Sequence, residues 1–195
     1  MRYLRYIYFL FRHYVTAKTR HGTHSPFVYR LLDEVVYRYH EPMESGIGSG
    51  WKGSGWEPGR TDKLVARLAR YLKPSTMVQL AEPQAGCALY WQAVLPGVRF
   101  FTEADDLSAV GHIDFLYIER TVATGVVSHP GFTDLGRMGC NSVILYREPY
   151  FDGDSNRCWN RIKQFPEVTV TIDLFHLGLA FMKKDQRPQH FRIRF

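Results

Sequence analysis

Residues 77–103, MVQLAEPQAGCALYWQAVLPGVRFFTE, constrain the fold more than any other stretch of the chain. Their pattern predicts a buried strand over 77–80, a turn over 81–86, a helix over 87–94 and a second strand over 98–103. In an open α/β sheet the first turn of this kind marks the ligand end, because ligands gather outside the carboxyl ends of strands. The turn carries one glycine, Gly86, where a cofactor loop ordinarily has two or three. The stretch therefore speaks for a fold more strongly than for an activity.

The rest of the chain builds outward from this unit. Residues 2–18 have helical periodicity, with Leu4, Ile7, Tyr8, Phe11 and Val15 on one stripe that Tyr3, Tyr6, Phe9 and Leu10 widen. So broad an apolar surface must cover something: the chain's own core, a second copy, or, ranked below these, a membrane surface. Ser25 and Pro26 suit the cap and first residue of a helix with a Phe27, Leu31, Val35, Tyr39 stripe. His21 and His24 lack a third ligand nearby and read as a hydrogen-bonded structural pair. Residues 41–60 are rich in glycine and serine without periodicity and read as a linker; Trp51 and Trp56 could fold over a ligand as a lid.

A helix over 61–73 is capped by Thr61 and ended by Pro74. Beyond residue 103 the pattern predicts a strand over 113–118, a short helix over 132–137 and a strand over 142–146. A helix capped by Asp154 or Ser155 then reaches 164. Residues 168–175 and 177–184 suit an antiparallel pair, and 190–195 an added edge strand.

Charge and cysteine content narrow the function classes. The net charge is +6, and residues 1–32 hold six cations (Arg2, Arg5, Arg12, Lys18, Arg20, Arg30) with no carboxylate. A solvated helix face is the plain reading of such an arm, and no nucleic-acid motif accompanies it. Cys87, Cys140 and Cys158 are far apart, which speaks against a disulfide framework or a zinc site and for a cytoplasmic location. The apolar run over 6–11 is too short for a signal peptide or a span.

The order of elements, with AKTRHGTHSPFVYRLLDEV, YLKPSTMVQLA, WNRIKQFPEVTVTIDLFHLGLAFMKKDQ and HFRIRF, resembles a bacterial branch of the class I S-adenosylmethionine-dependent methyltransferases. The resemblance implies an α/β, Rossmann-like sheet whose edge is closed by a C-terminal antiparallel strand pair, with N-terminal helices added. It divides the chain into a helical extension (1–45), a flexible Gly/Trp linker (46–60) and the methyltransferase-like domain (61–195). Between Glu103 and Asp114 lie ten residues, a reach of roughly 35 Å when extended, so one edge strand of the family is expected to be missing.

The family's site positions carry over one at a time. Where its first strand ends in an acid followed by Gly-x-x-x-Gly, this chain has Gln79, Ala81 and Ala85, with Gly86 one place late. The added methyls obstruct the close backbone approach that glycines permit. Glu103 stands where an acid grips the ribose hydroxyls, and Glu119 where the fourth-strand Asp stands, followed by Arg120 instead of glycine. Metal-dependent relatives place paired acids where this chain has Arg147, Glu148, Tyr150 and Phe151, and a guanidinium there opposes a metal.

Three readings stay open. The first is a methyltransferase-like protein whose eroded motifs bind S-adenosylmethionine weakly or not at all. The second is an active methyltransferase on an unknown small-molecule or macromolecular acceptor. The third is a binding protein that uses its basic aromatic arm. The helix over 2–18 also offers a route to a homo-oligomer, whereas a nucleic acid or a membrane surface is not expected as partner.

Overall fold

A computed structural model describes residues 2–38, 55–80, 85–102, 105–119, 135–184 and 186–195. Among these, five α-helices surround one sheet. They are α1 (Arg2–Thr16), α2 (Pro26–Leu31), α3 (Arg60–Leu72), α4 (Ala85–Val94) and α5 (Gly153–Ile162). The strands are β1 (Thr76–Leu80), β2 (Arg99–Thr102), β3 (Phe115–Ile118), β4 (Val143–Arg147), β5 (Val170–Asp173), β6 (Leu177–Phe181) and β7 (Gln189–Arg192).

The strand order is β2-β1-β3-β4-β6-β5-β7. β1 to β4 are parallel, β6 runs antiparallel between β4 and β5, and β7 is parallel to β5. This is the Rossmann-like α/β sheet with a C-terminal antiparallel pair that the resemblance implies. Among the described residues β2 is the edge strand of this seven-stranded sheet. The described part of the link to β3 contains the 3-10 turn Leu107–Ala109. At the far edge β7 adds a strand.

Parallel strands covered on both faces need near-continuous apolar sequence, and TMVQL, FLYI and VILY supply it. Alternation then divides the core. Met77, Phe115, Tyr117, Val143 and Leu145 face α2, α3 and α4, whereas Val78, Leu80, Leu116, Ile118 and Ile144 face α5. Trp91 packs edge-on against Tyr117 at 4.7 Å on the first face, and Trp159 stacks parallel to Tyr146 at 6.4 Å on the second.

Several boundaries differ from the sequence expectation for identifiable reasons. α3 begins at Arg60 with Gly59 as its cap, because Asp62 reaches back to accept the Gly59 N–H at 2.9 Å; Thr61 is not the cap. α5 is capped by Asp152, whose Oδ1 accepts the Ser155 N–H at 2.8 Å, in place of Asp154 or Ser155. Ser25 does cap α2, and the helix continues as one π-helical turn over Leu32–Val36. α4 starts at Ala85, two residues before the expected start, so Ala85 and Gly86 lie in its first turn. β2 stops at Thr102, where Asp105 Oδ2 accepts from the Thr102 amide (2.6 Å) and hydroxyl (2.9 Å).

The helix over 2–18 differs in orientation. Tyr6, Phe9 and His13 face the protein, on Phe175 at 5.2 Å, Tyr150 at 5.1 Å and Phe175 at 5.5 Å respectively. The stripe of Leu4, Ile7, Tyr8, Phe11 and Val15 points outward and is exposed. The two lid candidates also part company: Trp56 packs on Tyr90 at 5.8 Å, and Trp51 lies outside the described residues. Of the histidine pair, His24 is exposed and the side chain of His21 lies outside the described residues.

Candidate functional site at the carboxyl end of the sheet

In a doubly wound sheet the ligand crevice falls where the strand order reverses. Here the chain steps outward from β1 to β2 and then returns across β1 to β3, so the reversal lies just beyond Leu80 and Ile118. Of the residues named from sequence, Gln79 and Glu119 come together here. Gln79 is buried on β1, level with Tyr117 of β3, and the Glu119 N–H donates to Leu80 O at 2.9 Å, extending the ladder by one residue. Ala85 and Gly86 open α4 as backbone. Ala81, Glu103 and Arg120 lie outside the described residues.

The centre of this end is Arg147. It is the last residue of β4 and shares the face of Val143 and Leu145. A guanidinium that finishes an apolar strand must find acids or remain in water. Arg147 finds two. Its Nη1 lies 2.8 Å from Asp62 Oδ1 at the start of α3, and its Nε lies 3.5 Å from Glu119 Oε1. The same Nη1 donates to Tyr117 Oη at 3.3 Å, and that hydroxyl donates to Glu119 Oε2 at 2.9 Å. One side chain thus ties β4, β3 and α3 together across the carboxyl end of the sheet.

The electrostatics follow from the geometry. Burial works against the charge on Arg147, but Tyr117, Glu119 and Asp62 together outweigh it and its pKa is raised. Burial, reinforced by Glu119, holds the Tyr117 phenol well above its ordinary value. Cys87, in the first turn of α4, is pushed up to about 12 by burial and by the Asp62 charge. At neutral pH the cluster therefore holds a protonated phenol and a protonated thiol, with both carboxylates turned toward the guanidinium. None of these is an activated nucleophile.

Immediately after Arg147 the backbone turns sharply. Glu148 has φ of 53°, a left-handed conformation that a non-glycine residue adopts only when its surroundings fix it. They do so through the Glu148 N–H to His176 O at 2.9 Å and Glu148 Oε1 to His176 Nδ1 at 3.1 Å. Tyr150 then drops inward and donates to Asp173, with its hydroxyl pushed up by burial and by that carboxylate. Among the described residues no three His, Cys, Asp or Glu side chains converge as a metal site would need. A separate cleft of about 480 Å³, lined by Lys18, Lys163, His190 and Arg192 among others, lies beside β5 and β7.

Asp62 and Tyr117 are the members that sequence reasoning missed. The signal for Asp62 was its place three residues after Gly59, where a carboxylate caps a helix. The signal for both was Arg147 itself, a charge at the end of VILYR whose partners had to lie on neighbouring elements.

No family model matches the chain, and no curated protein matches it in sequence. Among solved structures, the SAH-bound methyltransferase PaMTH1 of Podospora anserina is similar to 84% of this chain and to 100% of its own, at 13% identity and a TM-score of 0.49. The architecture described above stands on its own strand order, independently of that likeness. No helix among the described residues is long and apolar enough to cross a membrane.

Proposed function

We propose that the chain is a methyltransferase-like protein of the S-adenosylmethionine-dependent class, from the bacterial branch it resembles, whose cofactor end is degenerate. S-Adenosylmethionine is bound weakly or not at all. The observation that carries this reading is the Arg147 bridge. Two acids at the carboxyl end of the sheet, Glu119 after β3 and Asp62 of α3, are committed to a guanidinium. Displacing that guanidinium would leave Asp62, with 5% side-chain exposure, as an uncompensated buried charge. The substitutions at Gln79, Ala81 and Ala85 point the same way. The free thiols Cys87, Cys140 and Cys158 agree with a reducing, cytoplasmic setting.

Calorimetric titration of the full chain with S-adenosylmethionine and S-adenosylhomocysteine tests the reading. The expected result is no saturable heat for either at submillimolar concentration. The double substitution Ala81→Gly, Ala85→Gly, combined with Arg147→Met, is expected to gain binding. Submillimolar binding by the unaltered chain, lost in Glu103→Ala, would establish the active enzyme instead. That second reading draws on the strand order, which retains the crevice between β1 and β3.

A further inference from the structure

The face of α1 that the protein does not use is larger than the face that it does. At 100° per residue the inward side chains Phe9, His13 and Tyr6 cluster on one side of the helix. Opposite them an arc of about 160° runs from Leu10 through Tyr3, Ile7, Phe11 and Leu4 to Tyr8 without a charged residue. These six are 43%, 78%, 58%, 68%, 74% and 58% exposed, and Tyr14 (60%) and Val15 (63%) lie on the same arc. With roughly 150–250 Å² on each large side chain, the uncovered apolar surface is on the order of 800 Å². The largest patch on a typical monomer is about 300–600 Å².

Charge decides what fits this face. Arg5 and Arg12 follow Tyr8 along one border of the arc, and both are exposed. At the end of the helix the Arg194 guanidinium lies 4.3 Å from the Tyr14 ring and donates to Tyr14 O at 3.0 Å. The acids on the elements packed beneath α1 are already engaged, Glu148 with His176, Asp173 with Tyr150, Asp152 with the Ser155 amide and Asp154 with Arg157. A second copy would bring together two α1 helices that each carry Arg2, Arg5 and Arg12 and no acid, Arg20 beyond the helix being paired with Asp33 at 2.5 Å. A bilayer with anionic headgroups accommodates the aromatic arc and attracts the cations at its border. A helix of 15 residues is roughly 22 Å long, too short to span and suited to lying flat.

We propose that α1 is a membrane-surface helix that seats the protein on anionic lipid through its outward arc of Tyr3, Leu4, Ile7, Tyr8 and Phe11. The inward residues hold the helix on the folded body, so the body rides on the bilayer without a spanning segment. This departs from the expectation that the helix covers the chain's own core or a twin. Packing on the core takes only the Tyr6, Phe9, His13 side, and the like charges of two α1 helices disfavour the twin.

Vesicle co-sedimentation of the full chain tests the proposal, using phosphatidylcholine alone and phosphatidylcholine mixed with phosphatidylglycerol. Light scattering after gel filtration follows the oligomeric state in parallel. The expected result is binding to the mixed vesicles, weaker on pure phosphatidylcholine and reduced by added salt. Ile7→Ser with Phe11→Ser should weaken binding at least tenfold while the melting curve stays unchanged, since both side chains are exposed. Arg5→Gln and Arg12→Gln should each cost roughly fivefold on the mixed vesicles only. No binding to either vesicle, or equal binding to both, would overturn the proposal. So would a stable dimer that Phe11→Ser dissociates and that ignores lipid, which would assign the face to a second copy.

Discussion

Replacing Arg147 by methionine should destabilise the fold measurably. Methionine keeps the unbranched apolar stem of the side chain and removes the guanidinium fork. The loss strands Asp62, 5% exposed, and leaves Glu119, 22% exposed, beside Tyr117 without its cation. Breaking a buried pair from one side costs about 3–5 kcal/mol. Arg147 is itself 30% exposed and Asp62 keeps the Gly59 amide, so the cost is discounted to about 2–3 kcal/mol. For a chain of 195 residues that is a fall in Tm of roughly 5–10 °C. Arg147→Lys keeps the charge but cannot fork between α3 and β3, and should lose about half as much. Urea unfolding of Arg147→Met, Asp62→Asn and the double variant would isolate the pair, with an expected coupling of about 1.5–2 kcal/mol. A loss under about 0.5 kcal/mol for Arg147→Met, or additive single losses, would show that the bridge behaves as an exposed ion pair and would refute the reasoning.

Thiol reactivity should separate the three cysteines. Burial pushes Cys87 up to about 12 and Cys158 up to about 11, whereas Cys140 is exposed. Iodoacetamide at pH 8 should therefore label one thiol in the folded protein and three in denaturant, read by intact mass. Gly178→Ala should destabilise the sheet by about 1–3 kcal/mol, measured by urea unfolding, because the new methyl would stand 2.7 Å from the ring of buried Trp159. Asp152→Ala should cost about 1 kcal/mol through the loss of the α5 cap, whereas Asp154→Ala should cost much less.

The sheet was legible in the sequence because buried parallel strands are written as unbroken apolar runs, and MVQL, FLYI and VILY are such runs. The antiparallel pair was legible from its β-branched alternation. Caps were less so, since Thr61, Asp154 and Ser155 are all competent caps and only the geometry selects Gly59 and Asp152. Periodicity found α1 but not its orientation. The pattern offers Leu4, Ile7, Tyr8, Phe11 and Val15 as the covered stripe, but the aromatic pocket formed by Tyr150 and Phe175 takes Tyr6 and Phe9 instead. At the site, local motifs named Gln79 and Glu119, and Arg147 as an obstacle to metal. That Arg147 reaches back 85 residues to Asp62 is a tertiary fact with no local signature.

In the proposed reading Arg147 holds the carboxyl end of the sheet in place of a nucleoside. A crystal of the full chain grown with saturating S-adenosylhomocysteine tests this most directly. The account predicts Arg147 still bonded to Asp62 and Glu119, with no nucleoside beyond β1. A nucleoside seated against the end of β1, its ribose held by Glu103 and the guanidinium displaced from Asp62, would contradict it.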